Sequence, residues 1–174
     1  MTLKLKNKQD TDYSDSIGLL ISILVRYPEV GTINFDPKQQ DLKFTFIFSR
    51  VLDEKELANF KSELVQVIET YNYLEGKEIS IADVNHQFCD NFTMLEVRRD
   101  VNTLTQDEIA LIIDLVDRCF KQNLVADQNE YMMEEDLIMQ EELIEHMLEN
   151  LKSASPERNL IAFREEGRVL VFNK

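Results

Sequence analysis

Apolar and polar positions recur along the chain with two different periods, and the switches between them mark its elements. From about Ser14 to Tyr27, residues Ile17, Leu20, Leu24 and Tyr27 fall at helical spacing, and Leu19 and Ile23 widen the apolar face. That width predicts a helix buried on two sides, and Pro28 stops it. Two short runs follow, Thr32 to Asp36 and Leu42 to Ser49, separated by Pro37-Lys-Gln-Gln. In the second, Leu42, Phe44, Phe46 and Phe48 alternate with Lys43, Thr45 and Ser49, which is the period of a half-buried strand. The pair predicts a β-hairpin.

The same grammar then repeats. Asp53-Glu-Lys-Glu56 resembles a capping box with Asp at its head, opening a helix that buries Leu57, Phe60, Leu64, Val67, Ile68 and Tyr71. Gly76 sits where a C-terminal cap belongs. Strands are predicted over Glu78 to Val84 and Phe92 to Arg99. Thr105-Gln-Asp-Glu108 is a T-x-x-E capping box before a helix with Ile109, Ile112, Ile113, Val116 and Phe120 inward and Cys119 on its inner edge. Phe44-Thr45 against Phe92-Thr93, and Asp53 to Leu57 against Thr105 to Ile109, suggest either a duplication with a short insertion or two independent hairpins of similar design. Both readings predict an α+β fold, with an antiparallel sheet built from two ββα units packed under helices across residues 1–123.

Residues 124–174 differ in character. Tyr131 to Lys152 predicts a helix with Leu137, Ile144 and Leu151 seven residues apart and Gln140 interrupting the seam. Asn159 to Phe172 predicts a final hairpin about Glu165-Glu-Gly-Arg168. Its strands are apolar on both faces, with Leu160, Ile161, Ala162 and Phe163 followed by Val169, Leu170, Val171 and Phe172. Such a hairpin is not stable alone, so the segment is expected to pack on the core or on a partner subunit.

Charge changes this picture most. The 174-residue chain has a formal net charge of −14, and residues 122–151 hold nine of its 33 acids with no lysine or arginine. Four of the six methionines, Met132, Met133, Met139 and Met147, fall in the same span. Methionine adapts to irregular surfaces, so an acidic Met-rich helix suits an apolar groove rimmed by Lys and Arg. The solvated alternative, in which acids coat the outside and methionines fill core, uses the same residues. On the interaction reading the partner-binding residues are Met132, Met133, Glu134, Glu135, Met139, Glu142, Met147, Leu170 and Phe172. The partner is then a second copy of the chain or a basic protein.

Acidity opposes nucleic-acid and anionic-membrane binding. Lys4, Lys6 and Lys8 make only a short basic arm, and Arg98-Arg99 reads as a solvated pair. No run approaches the roughly 18 apolar residues that cross a bilayer, and two cysteines fit a reducing compartment, so the cytoplasm is the expected location. Enzyme templates lack their raw material: there is no G-x-G-x-x-G, G-x-S-x-G or H-E-x-x-H, with only two His and four Gly. Glu142 and His146 share a helix face without a second copy of the pair. His86 and Cys89, in the expected turn between the third and fourth strands, could supply two zinc ligands or a catalytic pair, but no C-x-x-C exists and Asp83 and Asp90 oppose a thiolate. No catalytic residue, cofactor or metal site is therefore predicted. The expected function is a non-enzymatic interaction or regulatory protein. The alternative is a small-molecule-binding protein or enzyme with a pocket near the Phe44/Phe46/Phe48 face or His86/Cys89.

Overall fold

A computed structural model describes residues 2–127, 132–154 and 158–173, with only the backbone described for 2–12. The order is α1 (Thr2–Arg26), β1 (Thr32–Asp36), β2 (Asp41–Phe48), α2 (Glu54–Leu74), β3 (Ala82–Cys89), β4 (Phe92–Asp100), α3 (Gln106–Phe120), α4 (Glu134–Lys152), β5 (Leu160–Glu165) and β6 (Arg168–Asn173). The strands form one six-stranded sheet, β3-β4-β2-β1-β5-β6, antiparallel throughout. The architecture is α+β, with helices packed on the sheet and the terminal hairpin extending it.

Register assigns the faces. Phe44 lies opposite Val97, Val97 opposite Val84, and Ile33 opposite both Phe44 and Ala162. Cross-strand neighbours share a face, so these residues and their i±2 neighbours make the inner surface under the helices. Leu42, Phe44, Phe46 and Phe48 are all buried there. Phe48 and Phe60 each pack against Phe120, with ring centroids 5.0 and 4.8 Å apart. The phenyls fill the core, and Phe44, Phe46 and Phe48 have their faces occupied by protein.

Local signals explain most boundaries. Asp36 Oδ1 accepts from the N–H groups of Lys38 and Gln39, closing the first hairpin. Gly76, with φ +71°, ends α2 in a Schellman motif: its N–H reaches the Tyr73 carbonyl, and the Lys77 N–H reaches Asn72. Asp53 occupies the N-cap of α2 but its side chain makes no capping bond. The second hairpin is shifted from the sequence expectation. Asp90, at φ +49°, and Asn91 form a two-residue turn, so the strand runs through His86 and Phe88 to Cys89. The parity also removes the Phe-Thr match as a sign of duplication, because Phe44 points inward whereas Phe92 is exposed on the outer face.

Arg99 is the largest departure. It is no solvated partner of Arg98 but a fully buried side chain on the inner face of β4. Its guanidinium donates through Nε and Nη2 to both oxygens of Glu108, at 2.6 and 2.8 Å. It also donates to Asp100, to Thr103 Oγ1 at 2.8 Å and to the Ile81 carbonyl at 2.8 Å. Asn72 on α2 donates to Glu108 at 2.6 Å. Burial alone would raise the Asp100 carboxyl. Hydrogen bonds from Thr103 and the Ile81 N–H, with the charge of Arg99, outweigh it and hold Asp100 below the usual carboxylate range. Glu108, which the capping-box pattern would turn back on Thr105, instead faces this cluster, while Thr105 Oγ1 still accepts from the Glu108 N–H.

Two outcomes follow from the cluster. Glu108→Leu strands a buried guanidinium and is expected to cost about 3–5 kcal/mol. The double variant Arg99→Met/Glu108→Leu should recover much of that loss in urea unfolding. Because the folded Asp100 pKa is depressed, its contribution is complete above the ordinary aspartate value of about 3.9 and is lost as pH falls through the lower folded value. Thr103→Val should shrink this acid-dependent part of the unfolding free energy.

Candidate interaction surface

Helix α4 and the terminal hairpin take part in the same core as the rest of the described chain. On α4, Ile144, Met147, Leu148 and Leu151 are buried, so two of the three seam residues, Ile144 and Leu151, lie in this chain's own core. Met147 is therefore unavailable to a partner. It sits against Gly18 of α1, where a Cβ would come within 3.0 Å of its sulfur, so the glycine provides the notch that the methionine fills. Met132 and Leu137 are half-buried, and Tyr131 lies outside the described residues.

The opposite side of α4 is open. Met133, Met139, Ile138 and Leu143 are exposed, at 63, 61, 48 and 46%, and Glu134, Glu135 and Glu142 stand among them. Other acids on this helix have partners. Glu141 accepts from Arg26 at 2.8 Å, Glu149 pairs with Lys152, and Glu145 accepts from the backbone N–H of Gln106 at 2.8 Å. That last contact caps α3 from another helix, and it satisfies an orphan donor at a positive helix end. Between these elements runs a groove of about 500 Å³ flanked by Glu75, Asp107, Glu141, Glu142, Glu145 and Glu149, with Tyr71 and Ile138 contributing apolar surface. Lys77 is its one lining cation among the described residues.

The terminal hairpin is the second uncovered surface. Glu166 and Gly167, at φ +51° and +77°, form a two-residue type I′ turn, the geometry that matches strand twist. Arg164, inward on β5, fixes the hairpin beneath α1 by donating to the carbonyls of Leu24, Tyr27 (2.7 Å) and Val30. A cation is well placed at a helix C-terminus. Val169 and Val171 pack partly against the core. The other face carries Ile161, Phe163 and Leu170, all half-buried, and Phe172, with no helix of the described residues over it. Phe172 is 51% exposed and stacks on Phe163 at 5.6 Å.

His86 and Cys89 diverge. Three residues apart on one strand, they point to opposite faces. His86 Nδ1 lies 3.2 Å from Lys61 Nζ, whereas the Cys89 thiol donates to Met94 Sδ at 3.8 Å. Cys119, expected inside, is exposed. No cluster of three or more His, Cys, Asp or Glu side chains suited to a metal occurs among the described residues. No helix among them is long and apolar enough to cross a membrane.

Comparison with family models, curated proteins and solved structures returns no match for this chain. The site must therefore be read from its own chemistry. Sequence reasoning found the exposed stretch of α4 and the two-faced hairpin. It missed the groove, whose walls come from three separate helices, and the buried Arg99 cluster. The T-x-x-E signal pointed to the right residue for the latter, but Glu108 serves a tertiary contact that no local spacing reveals.

Glu145→Ala removes the cap on Gln106. It should cost about 0.5–2 kcal/mol and speed hydrogen exchange in the first turn of α3, with the rest of the helix less affected.

Proposed function

We propose that this protein is a non-enzymatic interaction module that binds through its C-terminal segment, using the terminal hairpin for strand addition and the open side of α4 for an amphipathic, basic partner. The observation that carries the reading is the apolar outer face of the terminal hairpin, where Phe172 is exposed and Ile161, Phe163 and Leu170 are half-buried, beside the β6 edge of the sheet. A hydrophobic face beside an unpaired edge offers both main-chain hydrogen bonds and side-chain contacts, as β-augmentation requires.

The acidic groove supports the second contact. Lys or Arg side chains entering between Glu75, Asp107, Glu142 and Glu149 would meet several carboxylates. Ile138, Met139 and Leu143 would take the apolar side of the same helix or strand. Electrostatic complementarity of this kind speeds encounter and selects partners more than it deepens affinity. A cytoplasmic, regulatory role belongs to the same proposal.

A photo-crosslinking side chain placed at Phe172 or at Met139 is expected to capture a partner in cells, whereas the same probe at Gln87, on the opposite sheet edge, should capture none. Capture at neither position by a protein that stays monomeric would overturn the proposal. Partner binding at the groove should also weaken steeply with salt, and Glu142→Lys/Glu149→Lys should weaken it further at low ionic strength.

A further inference from the structure

The geometry points to a second copy of this chain as the occupant of the β6 edge, joined by antiparallel β6–β6 pairing about Leu170 into one continuous twelve-stranded sheet. This rests on the reading of the hairpin as an interaction surface and adds the partner and the register.

The hydrogen-bonding direction comes from the turn. A two-residue loop makes Glu165–Arg168 a hydrogen-bonded pair, and such pairs alternate with non-bonded ones along an antiparallel ladder. Phe163–Leu170 and Ile161–Phe172 are thus bonded pairs. Val169 and Val171, opposite Arg164 and Ala162, direct their N–H and C=O groups away from β5. Since β6 is last in the sheet order, no strand receives them among the described residues.

Neighbours across an antiparallel pair share a face, and a two-fold axis normal to the sheet through Leu170 keeps the two inner faces on the same side. Val169-Leu170-Val171 reads the same in both directions, so this axis sets each Val169 against the partner's Val171 and Leu170 against itself. The strand is therefore self-complementary, which is the requirement of an isologous interface. Leu170 joins its counterpart on the outer face, where Ile161, Phe163 and Phe172 extend the apolar patch on each side. Below the sheet, Val169 and Val171 continue the core surface across the seam.

Charge favours the same occupant at this place. Two chains of net charge −14 repel, so they can meet closely only where acids are absent. β6 contains no acid from Arg168 to Asn173. The register sets Arg168 against the partner's Phe172 rather than against another Arg168, an arrangement in which a guanidinium can rest on an exposed ring. A basic partner gains nothing from a strand whose one charge is Arg168. The other sheet edge is guarded by contrast: β3 alternates exposed Asp83, Asn85 and Gln87 with its inner residues. β6 carries no proline, and its ladder with β5 has no bulge.

The test is sedimentation equilibrium of the full chain with two variants, together with a register-specific crosslink. Wild type is expected to dimerise. V171P removes an N–H that makes no bond among the described residues, so the fold should survive while the dimer weakens about tenfold or more. L170K, on the outer face, should act similarly if V171P disturbs folding. In a C89S/C119S background, L170C should form a covalent dimer on mild oxidation, because non-bonded antiparallel partners stand about 4.5 Å apart at Cα. V169C should not, since its counterpart lies two pairs away. A protein that stays monomeric across the concentration range, a dimer that V171P and L170K leave unchanged, or equal crosslinking of L170C and V169C would overturn the inference. Capture of a different protein at Phe172 by a monomeric chain would overturn it too, while leaving the broader interaction reading intact.

Discussion

Everything at one end of this fold is arranged around a single buried guanidinium. Arg99 has no exposure to water, so its charge must be balanced within the protein. The bidentate bond to Glu108 ties β4 to α3, the bond to Asp100 and the Ile81 carbonyl holds the entry to β3, and Asn72 brings in α2 through Glu108. Because the cluster draws on α2, α3, β4 and the loop before β3, it fixes relative placement as well as stability. A shift of α3 would pull Glu108 from the buried guanidinium, and a shift of the loop before β3 would cost it the Ile81 carbonyl. This constraint sets the position of the α3 N-terminus, and Glu145 then docks α4 against it.

From that anchored end the helical layer extends to α1 and the terminal hairpin. Gly18 and Met147 let α1 and α4 approach closely, and Arg164 clamps β5 under the last carbonyls of α1. The hairpin is consequently held from inside. Its outer face and its far edge receive no comparable cover from the described residues. A rigid inner attachment beside an open apolar face is the combination that makes strand addition affordable, since little ordering entropy remains to be lost on binding.

The period of the hydrophobic pattern made the fold class, most elements and the inward residues of β2 and α3 legible in the sequence; on α2 it marked Leu57, Phe60, Leu64 and Ile68 correctly, whereas Val67 and Tyr71 are only half-buried. Boundaries failed where a turn was subtler than its neighbours: Asp90-Asn91 closes the second hairpin tightly, and His86 to Cys89 became strand instead of loop. Arg99 was not legible, because a charged residue after Arg98 looks like surface until Glu108 is known to face it. Met147 was misread for a related reason: it belongs to the core face of α4, and the glycine that receives it lies far away in sequence. The apolar character of both hairpin faces was visible from the start. Which face is covered and which is open depended on the register with β1.

Amide hydrogen exchange at β6, followed over a range of protein concentrations, tests the central claim most directly. Leu170 directs its N–H into the hairpin and should be protected throughout. Val169 and Val171 should exchange quickly in dilute solution and gain protection as concentration rises, in step with the appearance of dimer. Rapid exchange of both valines at every concentration would contradict the account, since it would mean that the edge of the sheet stays open to water.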